Sequence, residues 1–113
     1  MMKLVTAIIK PHRLSEVKDA LVDIGVTAMT VTEVKGFGRQ GGHTETYRGA
    51  EYRIDFVPKI QLDIVTGEET VDLIVNAVLQ SANTGVIGDG KIWVTPVESV
   101  VRIRTGDAGI DAI

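Results

Sequence analysis

The stretch Tyr52-Arg53-Ile54-Asp55-Phe56-Val57-Pro58-Lys59-Ile60-Gln61-Leu62-Asp63-Ile64-Val65 runs directly into Thr66-Gly67-Glu68-Glu69-Thr70-Val71-Asp72-Leu73-Ile74-Val75-Asn76-Ala77-Val78-Leu79-Gln80-Ser81-Ala82, and the reading of that junction decides the fold. In the first part the even-numbered positions from Tyr52 to Ile64 are large or apolar apart from the central Pro58, and alternate with a mostly polar set. A period of two predicts one long half-buried strand. Pro58 has no N–H to give a neighbour, so the strand is expected to lie at an edge or a bulge there. In the second part Val71, Ile74, Val75, Val78, Leu79 and Ala82 recur at helical spacing, and Thr66-Gly67-Glu68-Glu69 matches a capping box ahead of them. A strand feeding a helix is thus one half of the molecule.

The same order appears upstream. Leu4 to Ile9 is an apolar run stopped near Pro11, as a strand buried on both faces reads. Leu14, Val17, Leu21 and Ile24 follow at helical spacing, with Ser15 or a neighbour as cap and Gly25 as terminator. Met29 to Lys35 is rich in Thr and Val and predicts a second strand. Gly36 to Glu51 is polar and glycine-rich, too long and irregular for a simple hairpin turn. After the second helix, Lys91–Val94 and Val100–Arg104 read as two short strands about Pro96, and Thr105 to Ile113 as a tail. Two similar β-α-β halves bury their stripes most simply as an α+β, ferredoxin-like βαββαβ sandwich with both helices on one sheet face and a short extra C-terminal strand. The whole of 1–113 reads as a single domain.

Composition narrows the chemistry. At 113 residues the folded chain exposes roughly 6,000 Å² against roughly 18,000 Å² extended, so one sizeable core is possible. With 44% hydrophobic but only 4% aromatic residues, that core is aliphatic. A net charge of -3 supplies no basic field for nucleic acid. Zero cysteines exclude disulfides, thiolate metal sites and cysteine nucleophiles. The absence of a long apolar run or a signal-peptide pattern fits a soluble cytoplasmic protein.

Two glycine motifs invite a phosphate reading, and both fail as named fingerprints. Gly36-Phe37-Gly38-Arg39-Gln40-Gly41 satisfies GxGxxG, but no helical face follows in Gly42-His43-Thr44-Glu45. Gly85-Val86-Ile87-Gly88-Asp89-Gly90-Lys91-Ile92 fits GxxxxGK, but Ile92 stands where a Walker motif needs Ser or Thr. Glycines still let backbone N–H groups approach an anion closely, and they also simply turn loops. Arg39 and Lys91 lie in these loops, and Arg102 and Arg104 alternate along one expected strand face. Such forks suit phosphate or carboxylate, and equally a solvated face with surface ion pairs. His12 and His43 are the only histidines and neither sits near a Ser-based motif, so no catalytic constellation is legible. Trp93 reads as core. Tyr47 and Tyr52, in or beside a polar loop, read as packed on something or presented to something.

Taken together, Tyr47-Arg48-Gly49-Ala50-Glu51-Tyr52 and Thr84-Gly85-Val86-Ile87-Gly88-Asp89-Gly90-Lys91-Ile92-Trp93-Val94 resemble the two signatures of the PII nitrogen-regulatory signal transduction proteins. Ile9-Lys10-Pro11, Gly36-Phe37-Gly38-Arg39-Gln40 and Arg102-Ile103-Arg104-Thr105-Gly106 match in order and spacing, so the resemblance covers essentially the whole chain. It implies a non-enzymatic regulator, a homotrimer with ATP or ADP in the clefts between subunits and a flexible T-loop, about 37–54, that reaches targets. It implies that Gly38, Arg39, Gly88, Asp89, Gly90 and Lys91 hold phosphates, with Arg102 and Arg104 joining from a neighbour, and that Met29, Thr30, Asp63 and Val65 surround the adenine. Gln40 would ligate Mg²⁺ shared by ATP and 2-oxoglutarate, and Lys59 would pair with a 2-oxoglutarate carboxylate. Tyr52 matches the tyrosine that a nucleotidyltransferase modifies in relatives. Targets would be an ammonium transporter or enzymes of nitrogen metabolism, with contact to a membrane only through such a transporter. Gly41 and Val86 replace residues that are basic in many members, which lowers the charge beside the site.

Two other classes compete. An acylphosphatase-like hydrolase needs a positioned nucleophile or base, and an RNA-binding sheet needs exposed aromatics for stacking. The sequence offers neither.

Overall fold

The computed structural model describes residues 1–38, 43–47, 50–54 and 56–113. Six strands occur among them: β1 (Met2–Ile9), β2 (Thr30–Gly36), β3 (His43–Tyr47), β4 (Ala50–Ile54), β5 (Val57–Gly67) and β6 (Lys91–Val97). Two helices, α1 (Leu14–Asp23) and α2 (Val71–Ala82), complete the expected βαββαβ order. The main sheet is antiparallel in the order β2-β5-β1-β6. The buried side chains of the sheet come from its two central strands, β1 and β5.

Alternation along these strands sorts the side chains. Val5, Ala7 and Ile9 of β1 and Ile60, Leu62 and Ile64 of β5 face the helices and are buried. Val17 and Leu21 of α1 and Ile74, Val78 and Ala82 of α2 close over them. Fully burying one such Leu or Ile contributes roughly 1.5–3 kcal/mol. Among the described residues, the opposite sheet face carries no helix. Across it run Thr30, Asp63, Thr6 and Trp93, register partners from β2 through β5 and β1 to β6. The Thr6 hydroxyl donates to Asp63 Oδ1 at 2.8 Å and Gln61 Nε2 donates to Oδ2 at 3.0 Å, so the carboxylate is satisfied within the sheet.

Helix ends differ from expectation. Neither helix has a side-chain N-cap; each is entered through a 3₁₀ turn, Pro11–Arg13 before α1 and Glu68–Thr70 before α2. The capping box fails because its hydroxyl is already engaged. Thr66 bonds the Thr70 hydroxyl, which also reaches the Gly67 carbonyl at 3.0 Å. Gly25 terminates α1 as expected: its φ of 97° lets Gly25 N–H and Val26 N–H return to the carbonyls of Val22 and Leu21, both at 3.0 Å.

Three strand expectations are revised. The single strand from Tyr52 to Val65 is two, β4 and β5, separated at residues 55–56. The glycine-rich segment upstream is not wholly irregular: β3 within it pairs with β4 as a two-stranded ribbon, with His43 opposite Ile54 and Tyr47 opposite Ala50. Finally, β6 continues through Pro96, and Val100–Arg104 is no strand. An edge strand tolerates a missing N–H, which is why Pro96 does not break β6. Val101 makes only an isolated bridge to Ala108, closed by Arg102 N–H to the Asp107 carbonyl and Gly106 N–H to the Arg102 carbonyl, each at 2.8 Å. The tail ends in a 3₁₀ turn, Gly109–Ala112. Pro58 lies in an internal strand, yet β1 pairing begins only at Ile60, so at Pro58 the strand has β2 alone beside it.

Burial separates leucines that the stripes of the two helices place alike. Leu21 is fully buried whereas Leu79 is 54% exposed. Leu21→Ala should cost about 2–5 kcal/mol of unfolding free energy in urea titration, and Leu79→Ala under about 1 kcal/mol. Equal costs would mean that α2 packs in another rotation.

Candidate ligand-binding site

Where β1 and β2 end and β5 and β6 begin, the open sheet face meets the loop that follows α2. That loop must turn sharply and approach the sheet. Gly85, Gly88 and Gly90 take φ of 76°, 96° and 106°, the left-handed region that side chains disfavour. At Gly90 a Cβ would stand 1.6 Å from the Ile8 carbonyl oxygen, so only glycine fits.

The loop is held from within by one carboxylate. Asp89 Oδ2 accepts from Thr84 N–H at 2.9 Å and Gly85 N–H at 3.0 Å, while Oδ1 accepts from the Thr84 hydroxyl and pairs with Lys10 Nζ at 3.1 Å. Lys10 also donates to Thr84 Oγ1 at 3.2 Å. These partners, the Thr84 hydroxyl foremost, hold the Asp89 carboxyl far below the usual carboxylate range. From the same β1–α1 corner, Arg13 donates through Nε and Nη2 to the Ser81 carbonyl, at 2.9 and 2.5 Å, which caps the end of α2. One short segment thus fixes both the helix end and the loop after it.

Between this loop and the end of β2 opens a cleft of about 570 Å³, with Ile8 on its floor and Gly36, Gly38, Lys59, Gly88 and Lys91 on its sides. Lys59 is buried, and its ammonium donates to the Gly88 carbonyl, its one hydrogen-bond acceptor among the described residues. An ammonium carries three donors, so this one can take up further acceptors. Burial lowers its pKa from 10.5, the Lys10 charge lowers it further, and Asp89 opposes the shift. Two lysines and a glycine loop at one cleft are a fit for an anion.

The expected site residues fall into separate groups. Gly38, Lys59, Gly88, Gly90 and Lys91 line the cleft. Asp89 does not line it; its carboxylate faces Thr84 and Lys10 and shapes the loop instead. Thr30 pairs directly with Asp63, which lies about 13 Å along β5 from Lys59 at ~3.3 Å per residue, and Val65 is two residues further on. Met29 packs against the core just before β2. Arg102 and Arg104 lie on the C-terminal turn, where Arg102 is 3.7 Å from Asp107. Arg39, Gln40 and Gly41 lie outside the described residues, and Tyr52 is placed only as the register partner of Glu45 in the ribbon. The Lys10–Asp89–Thr84 network and the Gly90 approach escape any reading by spacing.

Asp89→Asn should lower the thermal midpoint at neutral pH, since an amide loses the Lys10 charge and the paired acceptors. Because the native carboxyl titrates below its unfolded value, the stability it adds is present above about 3.8 and is lost only as pH falls through the depressed native value. The gap between variant and wild type, followed by calorimetry, should therefore stay constant from neutral to mildly acid pH. A gap that closed already at mildly acid pH would remove Asp89 as the loop's organiser.

Known proteins match this sequence along their whole length. The family model described as Nitrogen regulatory protein P-II matches residues 2–107. The Nitrogen regulatory protein P-II of Azospirillum brasilense is 60% identical over 112 residues, covering 99% of this chain and 100% of that protein. That of Pasteurella multocida is 58% identical and Nitrogen regulatory protein P-II 1 of Escherichia coli (strain K12) 56%, both with the same coverage. The chain belongs to the P-II family of nitrogen regulatory proteins.

Proposed function

We propose that this chain senses cellular energy and carbon status by binding ATP or ADP in the cleft and, with Mg²⁺ and ATP present, 2-oxoglutarate, and that it passes the result to target proteins through the segment bearing β3 and β4. The observation that carries this reading is the buried Lys59 ammonium beside the Gly88–Gly90 loop and Lys91, a cationic recess that fits a carboxylate next to phosphates. Bound Mg²⁺ would supply the positive charge that lets a dicarboxylate lie against a triphosphate. Gln40 would give that metal an oxygen, Lys59 would take the far carboxylate, and the backbone of Gly38, Gly88, Asp89 and Gly90, with Arg39 and Lys91, would hold the phosphates.

Thr30, Asp63 and Val65 lie along the open face away from the cleft, and Met29 packs against the core just before β2. Adenine contacts from this second group, with Arg102 and Arg104, are most simply supplied by a neighbouring copy. Ile103 is wholly exposed and Trp93 is 43% exposed, apolar surface that a partner copy would cover. Both features support a homotrimer with shared sites. Tyr52 is the proposed acceptor of a nucleotidyl group, and an ammonium transporter or an enzyme of nitrogen metabolism the proposed target. Among the described residues no helix is long and apolar enough to cross a membrane; we place the protein in the cytoplasm, meeting a membrane only through such a transporter. With Gly41 and Val86 uncharged, nucleotide affinity rests more on backbone groups and on Lys91.

Calorimetry tests the ligand order. 2-Oxoglutarate should bind measurably only with Mg²⁺ and ATP, ADP should not substitute, and each ligand should tighten the other by one common factor. Gln40→Ala should abolish the coupling and keep much of the ATP affinity, while Lys59→Met should abolish 2-oxoglutarate binding. Since burial lowers the Lys59 pKa, that binding should weaken as pH rises through a value below 10.5. Binding of 2-oxoglutarate without nucleotide would defeat the shared-metal reading.

Light scattering tests the assembly, for which a trimer mass is expected. Arg102→Ala should weaken ATP by roughly 10- to 150-fold, the worth of one charge-assisted hydrogen bond. A monomeric mass at micromolar concentration would remove the shared site.

A further inference from the structure

Two exposed aromatic rings stand where the sheet gives way to the ribbon. Pairing of β2 with β5 ends at Gly36 opposite Val57, and one step further along the same register lie Phe37 and Phe56. Their ring centroids are 6.1 Å apart and the planes are inclined by 55°. Tilted pairs at this distance attract through their quadrupoles. Phe37 is 70% exposed and Phe56 58%, so burial does not explain them. Of this chain's five aromatic residues, two are spent on this contact.

The position gives the pair a mechanical meaning. Six residues, 37–42, separate Gly36 from His43 on one leg, but only 55 and 56 separate Ile54 from Val57 on the other. The ribbon therefore cannot simply prolong the sheet's register, and the ring pair is the cross-leg contact at the mismatch among the described residues. Phe37 also belongs to the cleft wall, between Gly36 and Gly38. Gly36 in turn lies against the Lys59 stem: a Cβ there would be 3.2 Å from Lys59 Cγ. A chain of contacts leads from the Lys59 ammonium through Gly36 to Phe37, and across the rings to the other leg.

We propose that Phe37 and Phe56 form a clasp that couples the state of the cleft to the ribbon β3–β4, so that a change at Lys59 moves both legs together. This deepens the sensing function proposed above but does not need its ligands to be tested. Phe56 does not line the cleft and can be varied without touching it.

The test is amide hydrogen exchange across residues 43–54 in the intact, ligand-free protein. Phe56→Leu should speed exchange there by roughly 2- to 10-fold, the worth of an aromatic pair, and Phe56→Tyr should restore it. Lys59→Met, which removes the buried one of the cleft's two lysine charges, should change ribbon exchange in the wild-type background but not in the Phe56→Leu background. Exchange in the core amides of β1 serves as the control for folding, and loss of protection there would call for Phe56→Met in place of Phe56→Leu. An equal response to Lys59→Met in both backgrounds, or ribbon exchange indifferent to either ring, overturns the clasp. Adding Mg²⁺, ATP and 2-oxoglutarate afterwards tests the ligand reading separately: silence there with an intact Lys59 effect would refute the ligands and leave the clasp standing.

Discussion

The approach of Gly90 to the Ile8 carbonyl is the constraint on which the rest of the site depends. No side chain larger than hydrogen fits there, and the φ of 106° excludes an ordinary residue independently. Contact at this point brings the loop after α2 down onto the end of β1, and so sets Lys91 and the Gly88 carbonyl beside Lys59. A central strand makes a firm anchor for such a contact, because β1 is hydrogen-bonded on both sides and its alternate residues are sealed beneath two helices.

Electrostatics then act on a frame that is already rigid. The Asp89 carboxylate is consumed internally, which leaves the lysines to set the sign of the cleft. Had the carboxylate faced the cleft, it would have offset Lys59 and Lys91 and weakened any anion site. The division of labour between an inward acid and outward bases follows from the turn itself: the N–H groups of Thr84 and Gly85, in the loop beyond α2, need an acceptor, and Asp89 is close enough to provide one.

Most of the fold was legible because it rests on periodicity. The α2 stripe and the alternation through Ile60, Leu62 and Ile64 each report one buried face, and that face is where the residues lie. The break at residues 55–56 was not legible, since alternation continues unchanged across it from Ile54 to Phe56 while the hydrogen-bonding partner changes from β3 to β2. Period two records which side a residue faces and is blind to which strand it faces. The capping box misled for a related reason: its spacing is satisfied, but the Thr66 hydroxyl had a nearer partner in Thr70. At the site, the glycines and Lys91 could be singled out by type, and Lys59 only through resemblance. Lys10 could not be found by spacing, because it meets Asp89 across 78 intervening residues.

The place of Trp93 carries a practical consequence. It is the chain's single tryptophan and stands on the helix-free sheet face in register with Thr6, 43% exposed. Its indole emission therefore comes from one known position, on the surface that any second molecule covering the sheet would dry. The protein carries a built-in optical reporter for its open sheet face, free of the ambiguity that a second indole would bring.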